Sequence, residues 1–426
     1  MDLTNFHFEH LVGKPRLWLL GLFSLLALLA ALLKLYTILL HSLSEKRATG
    51  FKPKAGSNLL NLKTQFPPSR REVLPASCPN PKTEAYRKDP NRYSHLRSER
   101  RRPPPKPCPE FDIKAASFRP YRPFRWTYHQ TMSLSKMQPD YWIELEKNYF
   151  DSLKQRKALL EQHGSTIMNY ALGSELACRE LMEMVLQFVC IRYPHYFALE
   201  ESNTVFVNRL LDTRTDITST HPLHVLFDNI PEDFPIMMRD EKDGNYCLRA
   251  GYICSSIGWT FGTHFNRPLR AIHTERGAWF IEDWKPLLIS PEEYALNAGT
   301  RYQGETVPIE QCYLRVDWQT LRRLPLSGAV VFNFKAVFSP VVELREEPYI
   351  PALLYKQVTE GKRVITEPKV HKHILRVVLQ ALKEWKKEQV EKGVVERDWE
   401  EETLQESPFY PGWDETWKRR GGLGFS

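Results

Sequence analysis

The stretch that decides the fold is residues 312–338, which read CYLRVDWQTLRRLPLSGAVVFNFKAVF. It contains two runs in which apolar and polar side chains alternate, and the turn-forming segment Pro325–Gly328 separates them. Alternation with a period of two is typical of a strand with one buried face. The stretch therefore predicts an antiparallel hairpin whose strands run from Cys312 to Gln319 and from Ala329 to Phe338.

Helical patterns lie on both sides of this hairpin. Asp140 is predicted to cap a first amphipathic helix, and Ser174 opens a second that Pro194 stops. A further strand is predicted over Tyr246–Trp259, and a long helix over Val370–Lys392. Helices, then antiparallel strands, then a helix predict an α+β fold.

An apolar segment precedes this domain. Residues 17–33 carry no charge, and the apolar run continues past Lys34 to Leu40, giving 24 residues. At about 1.5 Å per residue in a helix, this length spans a bilayer, and no cleavage-site pattern follows it. Lys and Arg are more numerous after the segment than before it, which favours a cytoplasmic C-terminal domain. We expect a single-pass anchor, in the endoplasmic reticulum.

Charge and proline content divide the rest of the chain. Residues 41–110 hold 16 basic and six acidic side chains and 12 of the 31 prolines, which predicts an extended spacer that can also contact anionic membrane lipid. The remainder of the chain is slightly acidic, so we expect no nucleic-acid binding. The predicted organisation is an N-terminal flank at 1–16, an anchor at 17–40, a basic Pro-rich linker at 41–110, a folded domain at 111–413 and a disordered tail at 414–426.

Common enzyme and metal motifs are absent from the sequence. The seven Cys residues form no Cys-x-x-Cys pair and are interpreted as reduced thiols. There is no phosphate-binding loop, no Gly-x-Ser-x-Gly and no His-Glu-x-x-His. The pairs His221/His224 and His371/His373 lack a third ligand at a recognisable spacing.

A polar row remains on the first strand of the hairpin. Arg315, Asp317 and Gln319 alternate with apolar residues, so their side chains share one face. A guanidinium, a carboxylate and an amide placed this way can converge on one ligand, together with His273. The same row also fits the solvated side of an antiparallel sheet, and a single His fits a core position. The pattern alone leaves both interpretations open.

Four blocks of sequence resemble a known family, the haem-dependent oxidative N-demethylase α-subunit-like proteins, and in particular its fungal HRQ branch. The blocks begin at Asp233, Leu248, Arg267 and Leu314, and the last runs to Ala329. The resemblance extends from about Pro123 to about Trp413. It implies a PAS-like antiparallel sheet with flanking helices, bound haem, and removal of a methyl group from a small amine with dioxygen.

The resemblance also implies roles for single residues. His273, Arg315 and Gln319 match conserved family positions, so His273 is the predicted axial ligand of the haem iron, and Arg315 and Gln319 are predicted cofactor-binding residues. A core role for His273 is the alternative. No flavin, nicotinamide or iron–sulfur motif is present, so turnover implies a separate electron-donating reductase.

Two departures from the family pattern bear on function. After His273 the chain is shorter than the family pattern before the next Trp block, and Asp317-Trp318 stands where bacterial members have Glu-Arg. We therefore consider a membrane-anchored haem-dependent demethylase or monooxygenase acting on a small amine or an amine-containing secondary metabolite. The alternative is a non-catalytic PAS-like haem or small-molecule binding protein. A Golgi-type glycosyltransferase is a third class, but the usual Asp-x-Asp metal site is absent from the sequence.

Overall fold

The computed structural model describes residues 104–126, 135–256, 260–272, 279–282, 307–370 and 372–419. The predicted anchor at 17–40 and the predicted ligand His273 lie outside these residues, as does most of the predicted linker. Within the described ranges, no helix combines the length and the apolar character needed to cross a membrane. All described residues fall in one compact unit of the chain, Leu59–Ser426.

Strands and helices alternate along this part of the chain. The strands are β1 (Met168–Tyr170), β2 (Phe197–Glu200), β3 (Val205–Asn208), β4 (Thr213–Asp216), β5 (Phe234–Arg239), β6 (Tyr246–Tyr252), β7 (Trp279–Glu282), β8 (Tyr313–Arg323) and β9 (Val330–Pro340). The helices are α1 (Tyr149–His163), α2 (Glu175–Arg192), α3 (Pro222–Phe227), α4 (Phe261–His264), α5 (Leu269–Ile272), α6 (Ile350–Glu360), α7 (Arg363–Thr366), α8 (Lys372–Glu391) and α9 (Trp413–Arg419).

The strands form two antiparallel sheets. The larger has the order β1-β6-β5-β9-β8-β7, and the smaller has the order β2-β3-β4. Because both sheets are antiparallel and are combined with helices, the predicted α+β class is confirmed.

The predicted hairpin is confirmed as the adjacent strands β8 and β9 of the larger sheet. Strands β8 and β9 pair over their full length, from Tyr313 opposite Pro340 to Arg323 opposite Val330. The backbone N–H of Leu324 donates to the carbonyl oxygen of Ala329 at 2.8 Å and closes the turn. Gly328 has φ +70°, a left-handed value that glycine adopts without a steric cost.

The two faces of the larger sheet differ in what covers them. We call the face with Arg315, Asp317 and Gln319 the front face, and the face with Leu314, Val316 and Trp318 the back face. Back-face residues share two extensive apolar cores with the long helices, including α2 and α8. Among the described residues, the front face has a smaller core, which the short helices α4 and α5 join through Phe261, Leu269 and Ile272.

The predicted helix start at Asp140 is wrong, because α1 begins at Tyr149. The backbone N–H groups just before α1 donate hydrogen bonds to residues that are distant in the sequence. The N–H of Glu144 donates to the Glu232 carboxylate at 2.9 Å, and the N–H of Lys147 donates to the carbonyl oxygen of Ala116 at 2.9 Å. Groups used in this way are unavailable for hydrogen bonds within a helix.

Two other boundaries differ from the predictions. Strand β6 ends at Tyr252, and the N–H groups of the next turn, at Cys254 and Ser255, donate to the Asp233 carboxylate. Helix α8 begins at Lys372 because Val370 forms a parallel bridge with Ile281 at the sheet edge. In both places a contact with a distant segment ends the element that the local pattern predicts.

The back face also carries a buried polar network. Lys335 on β9 lies 3.1 Å from the Glu232 carboxylate and 3.3 Å from the Glu144 carboxylate. Glu144 in turn pairs with Arg119 at 2.9 Å and accepts a hydrogen bond from the Tyr121 hydroxyl at 2.6 Å. Because each charge has a partner of opposite sign, the group is tolerated inside the domain.

The N-terminal segment 104–126 and the C-terminal segment 393–419 pack against each other, and we call this contact the clasp. The Tyr121 ring lies 4.0 Å from the Trp318 ring and 5.4 Å from the Phe409 ring, centroid to centroid. The Trp417 indole donates to the carbonyl oxygen of Ser117 at 2.9 Å. The packed region thus exceeds the predicted 111–413, and α9 occupies part of the segment predicted as a disordered tail.

Candidate functional site

The candidate site is the part of the front face around the polar row. Strand β8 buries Arg315, which is 4% exposed, and leaves Asp317 and Gln319 half-buried. The burial of Arg315 argues against a simple solvated face. The cross-strand neighbours on β9 are Phe338, Ala336 and Phe334, in the same order.

Arg315 is fixed on two sides and has one free end. Its Nε donates to Oδ1 of Asp317 at 2.8 Å, and its Nη2 donates to the carbonyl oxygen of Ser255 at 2.7 Å. Its Nη1 is buried and has no hydrogen-bond partner among the described residues. Burial lowers the pKa of Arg315, but Asp317 and Glu282 outweigh it, and the pKa is raised overall. The guanidinium therefore stays charged and keeps a donor for a ligand.

The carbonyl group that holds Arg315 is itself positioned by Asp233. The backbone N–H groups of Cys254 and Ser255 donate to the Asp233 carboxylate at 3.0 and 2.9 Å. The same carboxylate pairs with Arg156 at 2.7 Å, and both side chains are buried. No sequence pattern assigned a role to Asp233 or Ser255. The available signal was that both lie in the blocks that resemble the family.

Lys369 is a second cation near the polar row, and the sequence patterns did not point to it. Its side chain is 1% exposed, and its Nζ donates to the carbonyl oxygen of Trp279 at 3.1 Å. The Nζ lies 4.9 Å from the ring centroid of Phe280, the β7 neighbour of Arg315. Burial lowers the pKa of Lys369 to about 8, and Asp317 opposes this shift. No local pattern around Lys369 indicates a site, since its contacts come from a distant strand.

The middle of the front face offers a partly exposed apolar surface. Phe334, Ala336 and Phe338 are half-buried, and the small Ala336 lies opposite Asp317, between the two aromatic positions. The Gln319 amide makes no hydrogen bond with any other described residue. A flat aromatic molecule with carboxylate groups fits rings, a small residue and unpaired N–H donors arranged in this way.

His273 lies outside the described residues, but the helix that precedes it, α5, is described and ends at Ile272. Leu269 and Ile272 of α5 are partly buried against the front-face core, which also contacts Phe334. Phe334 is the direct cross-strand neighbour of Gln319. The chain therefore reaches the sheet face that carries the polar row immediately before residue 273. The predicted role of His273 as the axial ligand stays a prediction.

The fold and the site define an α+β domain whose front face presents cationic and amide donors beside aromatic rings. The family model described as "Haem-dependent oxidative N-demethylase, alpha subunit-like" matches residues 133–275 and 274–379, more than half of the chain. The chain belongs to this haem-dependent family, as the resemblance predicted. The two matched segments meet just after His273, where the sequence is expected to be shorter than the family pattern. A comparison with curated proteins found no match.

The residues present fit the cofactor that the family description names. Haem carboxylates are bound in proteins by charged and amide donors, and Arg315 Nη1 and the Gln319 amide are such donors without partners among the described residues. The porphyrin plane requires an apolar surface, which Phe334 and Phe338 supply. Both requirements are met on one face of one hairpin.

Proposed function

We propose that this protein is a haem-dependent oxidative demethylase or monooxygenase-like enzyme that acts on a small amine or an amine-containing metabolite. The observation that carries the proposal is the buried Nη1 of Arg315, which has no partner in the described part of the chain, on a sheet face that also presents the Gln319 amide and two aromatic rings. Family membership adds the identity of the cofactor.

The proposed roles of the chain's residues follow from their contacts. Arg315 and Gln319 would hold the haem carboxylates, and His273 would bind the iron with a neutral imidazole. Asp317 orients Arg315 through the 2.8 Å hydrogen bond and keeps the guanidinium charged. The bound haem would supply the activation of dioxygen, which side chains alone do not perform.

The overall reaction sets what else is needed. Oxidation of an N-methyl group by one oxygen atom of dioxygen yields the demethylated amine and formaldehyde. The other oxygen atom leaves as water and requires electrons and protons from a separate donor. We propose a separate reductase as this donor, because the sequence carries no flavin, nicotinamide or iron–sulfur motif.

A non-catalytic haem or small-molecule binding protein is the second candidate function. The short segment after His273 favours it, because the sequence is expected to lack part of the family pattern that would line the pocket. The same domain would keep the PAS-like architecture and the front-face donors. The two functions differ in turnover and not in cofactor binding.

We also propose that the domain is tethered to the endoplasmic reticulum and faces the cytoplasm. The uncharged run in residues 17–33 and the excess of Lys and Arg after it support this proposal. The basic linker at 41–110 would then lie close to anionic lipid.

Absorption spectroscopy of the full-length protein in detergent tests cofactor binding. Added hemin is expected to give a shifted Soret band in the wild type, and His273→Ala is expected to change its position. His195→Ala, at an exposed His, is the matched control and should leave the band unchanged. A wild-type protein that takes up no hemin would refute the proposal.

Formaldehyde release separates the two candidate functions. The hemin-loaded protein is supplied with a generic reductase, its nicotinamide substrate and a series of N-methyl amines. An enzyme is expected to release formaldehyde in proportion to the demethylated amine formed. Stable hemin binding without release from any amine would favour the non-catalytic function.

A further inference from the structure

We propose that Lys369 is a second cationic contact, beside Arg315, for the carboxylate groups of the cofactor. This inference rests on the proposed function, because it concerns the same face of the sheet. It assigns a binding role to a residue that lies outside the polar row and that the sequence analysis did not single out.

The position of Lys369 supports this role. The residue ends the short turn Glu367–Lys369, and the next residue, Val370, bridges to Ile281 on β7. This bridge brings the lysine side chain to the edge strand next to β8. Its Nζ lies 4.9 Å from the centroid of Phe280, and Phe280 pairs directly with Arg315. Lys369 therefore lies beside the cross-strand neighbour of Arg315, at the edge of β7, where its Nζ also lies 5.0 Å from the ring centroid of Trp279.

Unused hydrogen-bonding capacity is the second support. An ammonium group has three donors, and among the described residues only the carbonyl oxygen of Trp279 accepts from Lys369. Arg315 likewise keeps Nη1 without a partner in the described part of the chain. Buried donors of charged groups are seldom left unpaired, because burial without a partner is costly. Two such groups, Arg315 on β8 and Lys369 beside the adjacent strand β7, are consistent with an anionic ligand that binds both.

The charge at the site is compatible with this role. Asp317 favours the charged form of Lys369 and pairs with Arg315 at 2.8 Å. Glu282 also raises the pKa of Arg315. Asp317 thus favours the charged form of both cations, and Glu282 favours that of Arg315. A lysine that served packing alone would not need its charge, since an apolar side chain of similar length fills such a space at no electrostatic cost.

The test compares two probes, hemin and hemin dimethyl ester, whose carboxylates are esterified. Each is titrated into full-length protein in detergent, and the dissociation constants are read from the Soret band. The wild type should bind hemin more tightly than the ester. Lys369→Met should weaken hemin binding about tenfold and leave ester binding unchanged, as expected for loss of a charge-assisted hydrogen bond. Lys372→Met, at an exposed lysine, is the matched control and should change neither constant.

The outcomes separate this inference from the proposed function. If neither probe binds the wild type, the proposed function fails. If Lys369→Met keeps the full preference for hemin over the ester, or if the wild type has no such preference, the inference fails and the function stands. Equal weakening of both probes in Lys369→Met would show a structural role and would also overturn the inference.

Discussion

Arg315 is the residue on which the site depends most directly, since it joins β8, the Ser255 turn and Asp317. Its charge is buried among groups that all belong to the protein, yet one nitrogen remains unpaired among the described residues. A buried charged side chain with an unpaired N–H donor lowers the stability of the folded protein. This cost is removed if a ligand accepts the remaining hydrogen bond.

Replacing Arg315 should therefore affect binding strongly. We expect Arg315→Met to weaken hemin binding by at least about tenfold, because a charge-assisted contact is removed. The hemin affinity of Arg315→Lys should lie between those of the wild type and Arg315→Met, since lysine keeps the charge but lacks the planar guanidinium group with its several N–H donors. Hemin titration measures all three proteins. Arg323→Met, at the exposed end of the same strand face, is the control, and equal losses in both variants would contradict the assignment.

Glu146 gives a prediction for the pH dependence of stability. The residue is 7% exposed, and burial raises its pKa to about 7, against the hydrogen bond from the Asn148 N–H. Between about pH 4.5 and 7 the unfolded chain has lost this proton and the folded protein has kept it. Stability should therefore fall as the pH rises through this window, by up to about 3 kcal/mol.

The variant Glu146→Gln removes this titration. Its melting temperature relative to the wild type should increase between pH 5 and pH 8, as measured by differential scanning fluorimetry. The exposed Glu161→Gln, on α1, serves as the control and should follow the wild type. A constant difference between Glu146→Gln and the wild type across this range would contradict the prediction.

At the scale of elements, the turn after β6 is held by one buried ion pair. The Asp233 carboxylate serves both Arg156 and the backbone of that turn. Asp233→Asn should leave the buried Arg156 charge without its partner and lower the free energy of unfolding by about 3 to 5 kcal/mol. Chemical denaturation measures this loss.

An exposed ion pair provides the comparison. Glu200→Gln breaks the pair with Arg214, whose side chains are largely exposed, and should cost less than about 1 kcal/mol. Similar losses for Asp233→Asn and Glu200→Gln would mean that the pair at Asp233 does not stabilise the turn.

The pairing of β5 with β6 depends on a glycine. Gly251 has φ +128°, and a Cβ atom there would lie 2.1 Å from the carbonyl oxygen of Phe234. Gly251→Ala should separate the strands and lower the midpoint of chemical denaturation sharply. Gly393→Ala is the control, because Gly393 also has a positive φ but open space around it, and should cost about 1 kcal/mol. Equal effects would show that the close approach at Gly251 is relaxed easily.

The elements that the sequence predicted well are those set by local patterns. Alternation alone defined the β8–β9 hairpin and placed Arg315, Asp317 and Gln319 on one face, as the structure confirms. The periodicity after Ser174 predicted α2 in the same way.

The contacts that complete the site could not be predicted from such patterns. Ser255 lies 60 residues from Arg315, and Lys369 lies 90 residues from Trp279. The false helix start at Asp140 has the same origin, because the long-range hydrogen bonds of Glu144 override the local helical signal. Such contacts depend on the folded chain as a whole and leave no periodic trace in the sequence.

At the scale of the whole molecule, the clasp joins the two ends of the described domain over the back face. The N–H of Trp126 donates to the Thr403 hydroxyl at 3.0 Å, and that hydroxyl donates to the carbonyl oxygen of Trp126 at 2.8 Å. Outside the clasp, Arg122 of the N-terminal segment also pairs with the buried Glu347 at 2.6 Å, which anchors this segment to the domain. The clasp therefore stabilises the side of β8 opposite to the candidate site.

Phe409 tests how much the clasp contributes. Its ring lies 5.4 Å from that of Tyr121 and 4.0 Å from that of Trp413. Phe409→Ala should lower the free energy of unfolding by about 2 to 3 kcal/mol and speed proteolytic cleavage in residues 393–419. Phe150→Ala, at an exposed ring, should do neither. Unchanged cleavage in Phe409→Ala would mean that the ends are held by other contacts.

The clasp has a practical consequence for anyone who shortens this polypeptide. A fragment trimmed to the homologous core, 133–379, would discard Arg119, Tyr121 and Phe409 together. Glu144 would then keep Lys335 but lose its guanidinium and phenol neighbours, and the indole of Trp318 would face water. Insolubility of such a fragment would indicate exposed apolar surface on the back face of the sheet. It would not show whether the front face binds haem.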